Sequence, residues 1–135
     1  MSNTVYPLWK QELMQGSPNT SLAGTVKAVL VDTGTYTYSA AHQFYSDLSG
    51  VVGSAVTLAN KTFTNGVFKN TEASTFSSVS GNSVEAVVIF IDTGVAGTSR
   101  LVAYIDTGQT GMPVTPNGGN IVWTWDTGSN GIFAL

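Results

Sequence analysis

Four Asp-Thr-Gly triplets carry the most suggestive chemistry in this chain: Asp32-Thr33-Gly34, Asp92-Thr93-Gly94, Asp106-Thr107-Gly108 and Asp126-Thr127-Gly128. Each follows an apolar segment that reads as a strand. Two such carboxylates brought together share one proton, and the pair can hold and activate a water for peptide hydrolysis. A homodimer of a chain this short would supply one carboxylate per subunit. The same residues are also good turn formers. Asp bonds nearby backbone N–H groups, Thr does so more weakly, and Gly accepts positive φ. Four copies in one small chain favour a recurring turn. Asp92 and Asp106 end what read as neighbouring strands, which predicts opposite ends of one hairpin.

The stretch Val88-Ile89-Phe90-Ile91-Asp92-Thr93-Gly94 resembles the retroviral-type aspartic protease motif. Those families add an apolar-Gly-Arg segment and a flap hairpin, and Gly97-Thr98-Ser99-Arg100 matches the former poorly. A motif needs its context, so no catalytic residue is assigned. His42 is the sole histidine and cysteine is absent. We read His42 as a structural or surface imidazole, not as part of a Ser-His-Asp triad or a zinc site. Glu72 and Glu85 lack a carboxylate partner at a telling spacing for glycoside hydrolysis. The loop Pro116-Asn117-Gly118-Gly119 reads as a turn, since no Gly-Lys-Ser/Thr follows it. The Asp-rich turns offer oxygens to calcium, but the carboxylates are too dispersed for an EF-hand loop. No cofactor and no metal is expected. Trp123 and Trp125 share one strand face by period two. With Trp9 they offer either a carbohydrate platform or core, and core is preferred because large aromatics mostly bury.

The elements that must position these residues are mostly strands. One helix is predicted at the start: Pro7 suits a first turn, and Gly16 and Pro18 end it. Val5, Leu8, Trp9 and Leu13 form one apolar stripe, which either covers a sheet end or contacts a partner. These four residues are the candidate partner contacts. From Gly24 onward the chain reads as strands and turns. Thr25 to Val31, Ala55 to Phe63, Thr75 to Val79, Val84 to Ile91, Arg100 to Ile105, Ile121 to Trp125 and Gly131 to Leu135 are the strand segments. Ala40 to Leu48 is ambiguous, with a helical turn as one reading. Asn65-Gly66 is a strong hairpin signal, joining Lys61–Thr64 to Val67–Lys69. Val84–Ile91 is apolar on both faces, as in a covered central strand. The predicted fold is mainly β: a two-sheet antiparallel sandwich, jelly-roll-like, with one short N-terminal helix. It forms one domain over residues 1–135, with a helix or arm over 1–16 and strands and turns over 25–135.

Charged residues make up 10% of the chain, against about 25% in typical domains. Ser, Thr, Asn and Gly supply the polar surface instead, which suits a molecule fixed in a many-copy assembly. The net charge is −3, and the cations Lys10, Lys27, Lys61, Lys69 and Arg100 are scattered. Nucleic-acid binding needs clustered cations, so it is not expected. No signal peptide is visible, and the longest apolar run, Ala86 to Ile91, is too short to span a bilayer. Synthesis as a soluble cytoplasmic product and no membrane partner are the expectations.

Five stretches carry a family resemblance. They are the helix from Tyr6-Pro7 to Gly16, Thr25-Val26-Lys27-Ala28-Val29-Leu30-Val31-Asp32-Thr33, and Tyr38-Ser39-Ala40-Ala41-His42. The run from Thr98 through Arg100 and Tyr104 to Gly108, then Pro113-Val114-Thr115-Pro116-Asn117-Gly118-Gly119, completes the set. The chain resembles small tailed-phage structural proteins encoded near capsid and tail genes. That resemblance implies a virion component, most naturally a head decoration (cement) protein, and brings no catalytic motif. The implied partner is the major capsid protein; self-association as a symmetric dimer or trimer is expected on other grounds, because the sheet edges of a small sandwich need covering and homo-oligomers are usually cyclic. The implied location is the virion, at the capsid surface, and a tail or neck structural protein is the alternative. Removal of residues 1–16 is expected to leave a folded domain that no longer attaches.

Overall fold

The computed structural model describes residues 3–106, 113–125 and 131–134. The triplet Asp126-Thr127-Gly128, and Thr107-Gly108 of the third triplet, lie outside the described residues. Ten strands and one helix follow in chain order: β1 (Thr4–Val5), α1 (Pro7–Met14), β2 (Val26–Val31), β3 (Val51–Thr57), β4 (Lys61–Thr62), β5 (Val67–Asn70), β6 (Ser74–Phe76), β7 (Ala86–Ile91), β8 (Leu101–Ile105), β9 (Ile121–Trp123) and β10 (Phe133–Ala134). The fold is mainly β with antiparallel pairing throughout. Five strands form one sheet in the order β1-β8-β7-β2-β3, three form β10-β5-β4, and two form β6-β9.

The apolar run that ends at Ile91 is the centre of the main sheet. All six residues of β7 are buried, as are all five of β8. A strand buried on both faces needs no polar alternation, which is why Ala86 to Ile91 reads as a continuous run. β2 pairs with β7 from Val26↔Ile91 to Val31↔Ala86. The other side of β2 is less regular. Between the pairs Ala28↔Val56 and Leu30↔Val52, β2 advances two residues while β3 advances four. Gly53, at φ 75°, lies in that excess, as glycine does in bulged strands.

The turn at Asn65-Gly66 forms as predicted. Lys61 pairs with Asn70 and Thr62 with Lys69. Asn65 (φ 54°, ψ 37°) and Gly66 (φ 78°) both take the left-handed conformation that a two-residue hairpin turn requires.

Two expectations are corrected and one open reading is resolved. Ala55 to Phe63 is not one strand: β3 starts at Val51 and ends at Thr57, and the chain re-pairs as β4 at Lys61. Val5 is not helical but pairs with Ala103 in β1, because an edge of β8 is available to the extended residues before Pro7. Of Ala40 to Leu48, only Tyr45–Asp47 turns helically, as a single 3₁₀ turn. Asp47 fixes that turn by accepting the backbone N–H groups of Gln43 and Phe44, at 2.9 and 3.0 Å.

The core gathers Tyr6, Trp9, Leu30, Ile89, Leu101 and Trp123 among others, all essentially inaccessible. Among the described residues no helix is long and apolar enough to cross a membrane.

Candidate functional site

Asp32 follows β2 directly. Its Oδ1 accepts the Gly34 N–H at 2.9 Å, and its Oδ2 accepts from Thr35 Oγ1 and Asn82 Nδ2, both at 3.1 Å. The Gly34 N–H foremost, then these side-chain donors, hold the carboxyl below the usual carboxylate range. Thr33 is secured separately, its N–H and Oγ1 both donating to Glu85 Oε1 at 2.9 Å.

Asp92 repeats the turn at the end of β7. Its Oδ1 accepts the Gly94 N–H at 2.9 Å, and its Oδ2 pairs with Lys27 Nζ at 2.7 Å. Lys27 foremost, then the Gly94 N–H, hold this carboxyl low as well. Thr93 continues the local network, with its N–H on Ser99 Oγ at 3.0 Å and its hydroxyl 2.6 Å from that of Thr98.

The register separates these carboxylates. Antiparallel pairing puts Asp32 beyond the Val31↔Ala86 end of β2 and β7, and Asp92 beyond the Val26↔Ile91 end. Five steps of strand at about 3.4 Å separate the two ends by roughly 17 Å. Asp106 follows β8, whose Ile105 pairs with Val87, so it lies at the Asp32 end. Asp92 and Asp106 thus sit at opposite ends of their hairpin, as the spacing predicted. Asp32 and Asp92 each serve their own turn, and neither shares a proton with the other.

Tyrosines are what the sequence left unread. The Tyr6 and Tyr36 hydroxyls lie 2.7 Å apart, and the Tyr36 hydroxyl lies 2.8 Å from His42 Nδ1. This chain ties the N-terminal segment, buried at Tyr6, to the loop after Asp32. Tyr38 adds ring contacts to Tyr6 and Tyr104, with centroids 5.1 and 5.5 Å apart. Burial raises the Tyr6 and Tyr36 phenols, and pushes Tyr104 up to about 12 with Asp106 adding to the effect. All three remain neutral hydrogen-bonding groups at ordinary pH. The local signal was thin: Tyr36 and Tyr38 stand two apart after the first triplet, but Tyr6 and Tyr104 reach them only through sheet pairing. His42 takes the structural role read for it.

The four proposed partner contacts are split by the fold. Trp9 is 1% exposed, its Nε1 donates to the Thr20 carbonyl at 3.0 Å, and its ring meets Phe133 edge-on at 5.8 Å. It has no surface to offer. Val5 and Leu13 are half-buried against the core, and Leu8 is half-buried on α1. The described part of this segment, residues 3–16, is therefore not a separable arm, because Tyr6 and Trp9 belong to the core. Trp123 and Trp125 are buried as well, and Trp125 Nε1 donates to Ser74 Oγ at 2.8 Å. They are core, as preferred, and do not form a sugar platform. Among the described residues no group of three His, Asp or Glu side chains is placed to hold a metal.

No family model, no curated protein and no solved structure matches this chain.

Proposed function

We propose that the chain is a non-enzymatic structural protein of a tailed-phage particle, and specifically a decoration (cement) protein on the outside of the head shell. The observation that carries this reading is how Asp32 and Asp92 are used. In a chain with so few charges, each of these carboxylates is spent on closing its own strand-end turn. A rigid β scaffold with an uncharged Ser/Thr/Asn surface suits repeated apposition to neighbours. The resemblance of the sequence to small phage structural proteins supports the same role. The acidic balance and scattered cations favour the outer face, because a face turned to packaged DNA would need clustered cations. A ligand that binds only the assembled shell stabilises it by mass action. The major capsid protein is the proposed partner, together with further copies of the chain in a dimer or trimer.

Within this reading the three sheets act as two layers of a jelly-roll-like sandwich. The burial of β7 and β8 on both faces supports that arrangement. The test is copy number in virions of the phage that encodes the chain, by quantitative mass spectrometry. Decoration predicts on the order of hundreds of copies, as symmetric shells require. A dozen or fewer would move the protein to the neck or tail.

A further inference from the structure

Tyr6, Tyr36 and His42 form a line of three polar side chains, with 2.7 Å between the two hydroxyls and 2.8 Å from the Tyr36 hydroxyl to His42 Nδ1. Tyr6 and Tyr36 are buried and His42 is half-buried. We propose that this line is a pH-sensitive latch: a proton gained by His42 reverses both hydrogen bonds, strips the Tyr6 hydroxyl of its acceptor and loosens the N-terminal segment. The latch does not depend on the particle reading, because it is internal to the chain.

The balance of donors and acceptors fixes the resting direction. A hydroxyl donates one proton and also accepts, and a neutral imidazole has one N–H and one bare nitrogen. Among the described residues the Tyr6 hydroxyl has no partner besides Tyr36. Its proton therefore goes to the Tyr36 oxygen. Tyr36 must then donate to His42, which presents a bare Nδ1 and carries its own proton on Nε2. The other neutral tautomer, with the proton on Nδ1, points both bonds the opposite way. It leaves the Tyr6 proton buried without an acceptor, which is costly. Burial foremost, then the bond to Tyr36, raises the Tyr6 phenol, so that proton is not shed instead.

A charged imidazole carries a proton on both nitrogens. Nδ1 then donates to Tyr36, Tyr36 donates to Tyr6, and the costly arrangement is forced. Imidazole is the side chain that ordinarily changes charge between about pH 5 and 8, and a half-buried ring takes up its proton from solvent. The other titratable groups around the line are Tyr38 and Tyr104, which face Tyr6, and Asp47, which acts on both Tyr36 and His42. Asp106 and Glu85 stand behind Tyr104. Phenols and carboxylates ordinarily titrate outside that range. Asp47 attracts the charged ring, and it is fixed beside His42 by the N–H groups of Gln43 and Phe44. That attraction survives when the N-terminal segment lifts, but not when the whole chain unfolds. It offsets the lost acceptor in global unfolding and leaves the local opening uncompensated. Tyr6 reports that opening directly. Its backbone N–H donates to the Val102 carbonyl at 2.9 Å, and its carbonyl accepts the Lys10 N–H at 3.3 Å.

The test uses the full isotope-labelled chain in solution. His42 is the sole histidine, so its ring nitrogens are identified without ambiguity by NMR. At neutral pH they are expected to show a bare Nδ1 and a protonated Nε2. Amide hydrogen exchange, corrected for the intrinsic effect of pH, is then followed from about pH 8 to about pH 5. Protection of the Tyr6 amide relative to the Ile89 amide of β7 should fall at least about fivefold over that range. Tyr6→Phe keeps the ring, leaves the bond from Tyr36 to His42 in place and removes the proton that becomes orphaned. In that variant the same ratio, read at position 6, should stay flat. A proton on Nδ1 at neutral pH, a flat ratio in the unaltered chain, or an equal fall in folded Tyr6→Phe would overturn the latch. Should Tyr6→Phe lose the native spectrum, the tautomer and the ratio in the unaltered chain decide alone. None of these outcomes bears on copy number in virions, so the two readings fail separately.

Discussion

Tyr36 is the residue on which the most depends for its size. Its hydroxyl is the link between a fully buried Tyr6 and the half-exposed His42. Tyr36→Phe leaves the Tyr6 hydroxyl buried without that partner, which should cost about 1–3 kcal/mol in urea unfolding. Adding Tyr6→Phe removes the orphaned group, so the double variant should lose less than the sum of the two single losses. Strict additivity would show that the two hydroxyls are not coupled. The aspartates make a second prediction. Asp32, Asp47 and Asp92 all have carboxyls lowered in the folded chain. A lowered carboxyl stabilises the fold above its unfolded value, about 3.9, and that contribution is lost as pH falls through the folded values. The urea midpoint should therefore be flat from neutrality to about pH 5 and fall below about pH 4. Asp92→Asn, which loses the charge that Lys27 pairs with, should show a shallower acid limb. A midpoint that rises on acidification would contradict this account.

At the scale of elements, the N-terminal segment is where sequence and structure part. The apolar stripe and Pro7 made the helix legible, and α1 forms where they placed it. That Trp9 faces inward could not be read from spacing, since a stripe looks the same whether it meets a core or a partner. β1 was illegible for a different reason: two residues acquire strand geometry only by pairing with Ala103 and Tyr104, far along the chain. The interior strands β2, β7 and β8 were legible because continuous burial writes itself as an apolar run. The start of β3 was hidden because Gly50 and Gly53 flank its first residues and glycine is depleted in strands. The strand-end turns were legible because Asp-Thr-Gly is local chemistry, whereas the tyrosine cluster joins residues from three separate parts of the chain. Three predictions follow the packing. Trp9→Ala should cost about 3–5 kcal/mol, and deletion through Gly16 should unfold the chain, which circular dichroism would report. A deletion variant that keeps a native spectrum would restore residues 1–16 as a detachable arm. Gly50→Ala should also destabilise, since at φ 64° its Cβ would stand 2.8 Å from the Asp32 carbonyl oxygen and 2.9 Å from Thr35 Cβ.

At the scale of the whole molecule, the proposal is a scaffold that works by being present in many copies. Short outer strands such as β1 leave sheet edges that proteins cover or shorten, and closed cyclic symmetry is the common solution among homo-oligomers. A dimer or trimer is therefore expected by light scattering, and a monomer at high concentration would count against it. Weak individual contacts suffice when a shell offers many equivalent sites. A cryo-electron-microscopy reconstruction of the virion tests the central claim most directly. The account predicts density of this chain's fold on the outer face of the head, bridging capsid subunits in a symmetric array. Density for this chain inside the shell, or only in the tail, would contradict it.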